Sequence, residues 1–188
     1  MSRIPTPAVE QAPEKSRPLL AAVQKQLGTV PNMFRIIANG PAALEAYLGF
    51  ADALGKGALA RPTRERIALA VADVNGCGYC LSAHTYLARN FAKLDDAEIT
   101  ANRNGASNDI KADVAVRFAA KLARERGQAS EADIAGLKHA GYSDAEIVEI
   151  IAHVALNIFT NYLNEALKTE IDFPAVTLRT ASRFTPPS

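Results

Sequence analysis

Along most of this chain apolar residues return every three or four positions, and nowhere do they alternate with polar ones for the length of a strand. The clearest case is "YSDAEIVEIIAHVALNIFTNYLNEALK", residues 142–168, where Ile147, Ile151, Val154, Ile158 and Tyr162 fall on one helical face. Ile150, Phe159, Leu163 and Leu167 add a flanking face, and Ser143 with Glu146 forms a capping box at the start. The polar stripe left over is Glu146, Glu149, His153, Asn157, Thr160 and Asn164. An apolar surface that wide predicts a central helix, or one partly buried by another subunit.

The same period, punctuated by caps and breakers, sets out the remaining helices. One runs from about Pro18 to Leu27 and stops at Gly28; a short one lies in "VPNMFRIIANGP". Pro41 opens "PAALEAYLGFADALGK", and Pro62 with Thr63 opens "RPTRERIALAVADVNG", which Asn75-Gly76 closes. A fresh helix starts around Cys77 and continues through "CLSAHTYLARNFA", followed by a brief acidic-capped one in "KLDDAEITANRNG". "SNDIKADVAVRFAAKLARERG" is amphipathic, with Ile110, Val114, Phe118 and Leu122 on one stripe, and Ser130 caps "EADIAGLKHAG". "LDDAEI" and "YSDAEI" resemble one another, too briefly to establish a repeat. The fold class is all-α, a single domain over 17–171 with extended arms at 1–16 and 172–188.

Composition narrows the function classes. Apolar residues make up 48% and charged residues 22% of 188, ordinary values for a globular protein with a sizeable core. A net charge of +1 with no Lys/Arg run gives no reason to expect nucleic acid or an anionic membrane as partner. The first residues lack the apolar core of a secretory signal, and no apolar run is long enough to span a bilayer, so the cytoplasm is the default compartment.

The chemistry concentrates in "NGCGYCLSAH", residues 75–84, which holds both cysteines, Cys77 and Cys80, and one of the three histidines, His84. Two cysteines this close cannot staple distant elements. Haem attachment needs His directly after the second Cys, where Leu81 stands. Structural zinc sites usually present two pairs of ligands, and here there is one pair and one histidine. A redox dithiol fits better. At a helix start both sulfurs feel unpaired amides and the positive dipole end, which favours thiolate, and the spacing brings the Cα atoms to roughly 5–6 Å, within disulfide range. His84 shares a helical face with Cys80 and is placed to take its proton. Glu65, twelve residues before Cys77, orients the imidazole if its helix folds back; beside Arg64 and Arg66 it reads equally as a solvated charge. A helix rather than a strand precedes the pair, so the scaffold is not thioredoxin-like. Away from this stretch, His139 reads as a helix C-terminal charge, His153 as solvated or lining an interface or pocket, and Phe34, Phe50 and Tyr86 as core or pocket lining.

Glu65, Cys77, Cys80 and His84 at this spacing resemble the signature of the alkylhydroperoxidase D-like branch of the carboxymuconolactone decarboxylase superfamily. "VPNMFRIIANGPAALEAYLGF" and "FTNYLNEALKTEIDFP" resemble its longer, peroxidase-related members, so the resemblance covers roughly 28–174. Tyr79 departs from it, standing where the best-known peroxidase branch has a histidine. The resemblance implies an alkylhydroperoxidase D-like helical fold, a trimer or hexamer, and a cofactor-free thiol peroxidase. In it Cys80 is the peroxidatic thiol, Cys77 the resolving one, and His84 with Glu65 a proton relay. The implied partners are a peroxide and an external dithiol reductant, a lipoyl group or a thioredoxin-like protein. A decarboxylase-like lyase is the runner-up, against which the dithiol argues; a redox-sensing or zinc-binding module without turnover is the third reading.

Overall fold

In the computed structural model, which describes residues 1–178, helices and turns make up the chain, with no strand among the described residues. The helices are α1 (Arg17–Leu27), α2 (Asn32–Ile37), α3 (Pro41–Gly55), α4 (Arg61–Val74), α5 (Gly78–Asn90), α6 (Asp96–Arg103), α7 (Ile110–Arg124), α8 (Glu131–His139) and α9 (Asp144–Leu167). Asp95 caps α6 and Ser143 caps α9 with equivalent bonds, to Glu98 N and Glu146 N. The likeness of "LDDAEI" to "YSDAEI" is therefore a shared capping solution.

The centre of the fold is α4, which packs against α5, α6, α7 and α9. Ile67 to Ala72 are all buried, so this stretch of the helix is apolar all round, as an enclosed segment must be. Alanines at 68, 70 and 72 let neighbours approach closely. On its other side α7 answers with Ala112, Ala115, Ala119 and Ala120, together with Val116, Phe118 and Leu122. Ile110, expected on that buried stripe, is 90% exposed. It occupies the first turn, while Phe118 and Leu122 of the same row turn to the core with the alanine-rich face.

The helix α9 divides its expected apolar faces between the core and the surface. Its polar residues His153, Asn157, Thr160, Asn161 and Asn164 are buried, whereas Val148, Ile151, Phe159 and Tyr162 are exposed. The polar stripe left over by the apolar pattern lines the interior beside α4 and α5, together with Ile147, Ile150 and Val154, while the remaining apolar side chains face outward in the single chain.

Both ends of the described chain are pinned to the body. The residues expected as an N-terminal arm carry two 3₁₀ turns, Val9–Gln11 and Glu14–Ser16. Arg3 N bonds Leu167 O, Arg35 holds the carbonyls of Thr6 and Pro7, and buried Ser16 bonds Ala38 O. After α9 the chain returns over α5: Asp172 bonds Asn32 N and the Tyr79 hydroxyl, Val176 N bonds Ser82, and Phe173 packs on Tyr79 and Tyr86. Residues 179–188 of the expected tail lie outside the described residues. No helix among the described residues is long and apolar enough to cross a membrane.

Candidate active site

The turn that delivers the cysteines is set by local backbone chemistry. Gly76 N bonds Asp73 O and Cys77 N bonds Ala72 O, with Gly76 at φ +64°; this double closure ends α4 and needs a left-handed residue. Cys77 at once becomes the N-cap of α5, its sulfur accepting from Cys80 N at 3.4 Å. The helix thus starts where expected, around Cys77, and both sulfurs sit at its N-terminus. They are free thiols, and both are buried.

Folding α5 back along α4 brings His84 Nδ1 to 2.8 Å from Glu65 Oε2. The carboxylate accepts from Nδ1–H, which leaves Nε2 as the ring nitrogen for exchange with a thiol. Burial works against the imidazolium, but the hydrogen bond and charge of Glu65, helped by Cys80, raise the His84 pKa. The two thiols are pushed apart. Hydrogen bonding from Cys77 is the main influence drawing the Cys80 pKa down to about 6; burial opposes it, while His84, Asn164 and Asn161 add to it. Cys77 is pushed far above the ordinary thiol range, chiefly by that same bond and then by burial. The helix dipole alone favours Cys77, nearer the helix start; side-chain neighbours decide for Cys80.

Further groups complete the enclosure, several of them not singled out by sequence. Asn164 Nδ2 donates to Cys80 Sγ at 3.3 Å, and the Cys80 thiol lies 3.9 Å from Thr160 Oγ1. Asn157 and Thr160 bond backbone carbonyls of α9 itself, at His153 and Asn157. Tyr47, from α3, has its ionisation pushed up by burial and then by the nearby Cys80 and Glu65 charges. It also lines a surface groove of about 350 Å³ with Phe34, Leu27 and Leu48. The signal that would have found the asparagines is a row of amides on an otherwise apolar helix.

The four expected site residues are thus gathered in one cluster, with Glu65, Cys77 and Cys80 buried and His84 half-buried. His153 lies in the same wall, 6% exposed with Nε2 unpartnered, its pKa brought down to about 4 by burial and then by Arg64. His139 sits apart in the last turn of α8. Of the aromatics expected in core or pocket, Phe34 is half-buried, while Phe50 and Tyr86 are exposed. Tyr79 is more than a packing ring: its hydroxyl accepts from Met33 N and donates to Asp172. Among the described residues no three of His, Cys, Asp or Glu are arranged to hold a metal ion.

Fold and site together define a helical dithiol protein with a paired carboxylate and imidazole. The profile of the carboxymuconolactone decarboxylase family matches residues 41–125, from α3 into the end of α7. An uncharacterized peroxidase-related protein from Ralstonia eutropha JMP134, an alkylhydroperoxidase AhpD core, superposes with a TM-score of 0.82 at 26% identity, covering 91% of this chain and 92% of that one. A peroxidase-related protein from Silicibacter sp. TM1040 follows at 0.78 and 27%, over 90% and 91%. The debrominase Bmp8 shares the fold at 0.71 and 20%, over 85% and 86%. A search of curated proteins finds no match. Residues 41–125 thus resemble the carboxymuconolactone decarboxylase family, and nearly the whole chain shares the alkylhydroperoxidase D-like helical fold.

Proposed function

We propose that this chain is a cysteine-based peroxidase that reduces hydrogen peroxide or organic hydroperoxides, with Cys80 attacking, Cys77 resolving, and His84 and Glu65 relaying the proton. The observation that carries the reading is the asymmetry of the two thiols: Cys80 is poised as thiolate beside a Glu65-held imidazole, while Cys77 keeps its proton.

Cys80 gives its proton to His84, and its sulfur attacks the terminal oxygen of R–O–O–H. An S–O bond forms as the O–O bond breaks, and the departing alkoxide takes the proton back to leave as alcohol, or as water from hydrogen peroxide. Oxidation of Cys80 to the sulfenic acid removes the negative sulfur that held the Cys77 proton. Cys77 then loses that proton, attacks the Cys80 sulfur and expels water, closing the disulfide. An external dithiol, a lipoyl group or a thioredoxin-like protein, exchanges with the disulfide and is itself oxidised. The scheme needs no cofactor and suits a reducing compartment such as the cytoplasm. The apolar outer face of α9 supports a homo-oligomer, a trimer or hexamer, in which copies cover it.

The test is mass spectrometry of the reduced protein after one equivalent of cumene hydroperoxide. The expected result is loss of two hydrogens, reversed by dihydrolipoamide and absent in Cys80→Ser. No change in the wild-type mass rejects the reading.

A further inference from the structure

Asn75, Asn161 and Asn164 have no part in the relay, yet two of them enclose its sulfur. Asn161 and Asn164 lie on the inner face of α9, 0% and 2% exposed. Asn164 spends one end of its amide on Cys80, Nδ2 donating to the sulfur at 3.3 Å, and its buried Oδ1 has no partner. Asn161 has the complementary vacancy. Its Oδ1 accepts from Asn75 Nδ2 at 2.8 Å, which fixes the amide and leaves the buried Nδ2 without a partner. Asn75 closes α4 just ahead of Cys77, so one turn both delivers the dithiol and orients the Asn161 amide. That amide is close enough to the Cys80 sulfur to help lower its pKa.

One unpartnered donor and one unpartnered acceptor therefore stand beside the reactive sulfur. Buried polar groups are nearly always satisfied, and each one left bare is costly, so a pair beside a nucleophile marks a place where a ligand completes the bonding. A hydroperoxide is the complement: R–O–O–H offers one proton to an acceptor and two adjacent oxygens to a donor.

We propose that Asn161 and Asn164 bind the –O–O–H head group of the substrate beside Cys80, Asn164 Oδ1 accepting its proton and Asn161 Nδ2 donating to the oxygen that leaves. The inference deepens the peroxidase reading and rests on it. As the S–O bond forms and the O–O bond breaks, negative charge gathers on the leaving oxygen. An amide N–H fixed there in advance stabilises that charge until the alkoxide takes the proton held by His84. Asn164 meanwhile holds the attacking sulfur through its other end.

The test compares two reagents on one sulfur. Iodoacetamide reports the Cys80 thiolate but carries no O–O–H group; cumene hydroperoxide reports both. Asn161→Ala is expected to slow the reaction with cumene hydroperoxide roughly ten- to a hundredfold, the cost of one lost donor to a developing oxyanion, and to slow iodoacetamide far less. Asn75→Ala, at a half-buried helix end, frees the Asn161 amide to turn and is expected to shift the ratio the same way by a smaller factor. It decides the matter should Asn161→Ala not fold. Equal slowing with both reagents, or an unchanged peroxide rate, overturns the head-group site and leaves the amides as holders of the thiolate alone. A wild-type protein that takes iodoacetamide but not cumene hydroperoxide rejects the peroxidase reading and the site with it. A peroxide-reactive wild type with the same reagent ratio in both variants rejects only the site.

Discussion

Glu65 Oε2 on α4 and His84 Nδ1 on α5 meet at 2.8 Å across the hairpin that Gly76 turns. The pair supports Cys80 as thiolate, because a held imidazolium stabilises the adjacent negative sulfur. The sign follows directly: with a pKa of about 6, Cys80 is thiolate above that pH and loses reactivity as pH falls through it. His84→Ala is expected to move that midpoint upward by about one unit, a roughly fivefold loss of thiolate at the old midpoint. Glu65→Gln should shift it the same way by less, since the imidazole remains but is less easily protonated. The pH profile of iodoacetamide alkylation measures both, and an unmoved midpoint in both variants would dismiss the relay.

The Cys77 bond is the largest influence on Cys80, so Cys77→Ser should do more than remove the resolving thiol. A hydroxyl is a closer match to a thiol than Ala, so Cys77→Ala is expected to raise the Cys80 pKa further than Cys77→Ser. Both variants should complete one slow peroxide turnover and stop at a sulfenic acid that dimedone traps, while Cys80→Ser consumes none. Full, equal activity in the Cys77 and Cys80 variants would remove the dithiol mechanism.

Stability at low pH is expected to depend on Glu98. Burial alone raises the pKa of its carboxyl, but hydrogen bonds from Ser107, Asn102, Arg66 and Asn108 N outweigh that and bring it down to about 2. The stabilisation is therefore full above the unfolded value of roughly 4.3 and is lost as pH falls from there through about 2. Glu98→Ala strands the half-buried Arg66 guanidinium and should cost about 3 kcal/mol. Urea denaturation at neutral pH and at pH near 3 checks this: the wild-type advantage over the variant should shrink in acid, and a pH-independent difference would reject the assignment.

The Tyr79 hydroxyl ties the C-terminal return to the start of α2, accepting from Met33 N and donating to Asp172. Tyr79→Phe leaves a buried N–H unpaired, at a cost of about 1–2 kcal/mol. It should also loosen residues 170–178, read as faster limited proteolysis of that segment. An unchanged melting temperature together with unchanged cleavage would show that the hydroxyl anchors nothing.

Tyr162 is 62% exposed on the outer face of α9, beside Ile151 and Phe159. If copies of the chain cover this face, Tyr162→Glu with Ile151→Glu should convert an oligomer into monomer in light scattering while leaving the melting profile of the monomer intact. A monomeric wild type would end the proposal of a homo-oligomer.

By itself the sequence determined the helices and the chemistry they carry. Period and caps are local: Ser143 with Glu146, Ser130, Pro41, Pro62 and Gly76 act on residues within a turn of themselves, so element order and the dithiol at a helix start were legible. The close spacing of Cys77, Cys80 and His84 was legible for the same reason. What period does not give is which face of a helix turns inward. That depends on neighbours distant in sequence, and it decided that the amides of α9 face Cys80 while Tyr162 faces out, and that Ile110 lies bare. Only packing of α4 against α5 settled Glu65 as partner of His84 rather than a solvated charge. Only the tertiary structure lowered Cys80 rather than Cys77, because the hydrogen bonds and charges that fix a buried thiol's ionisation come from α5 and α9 together.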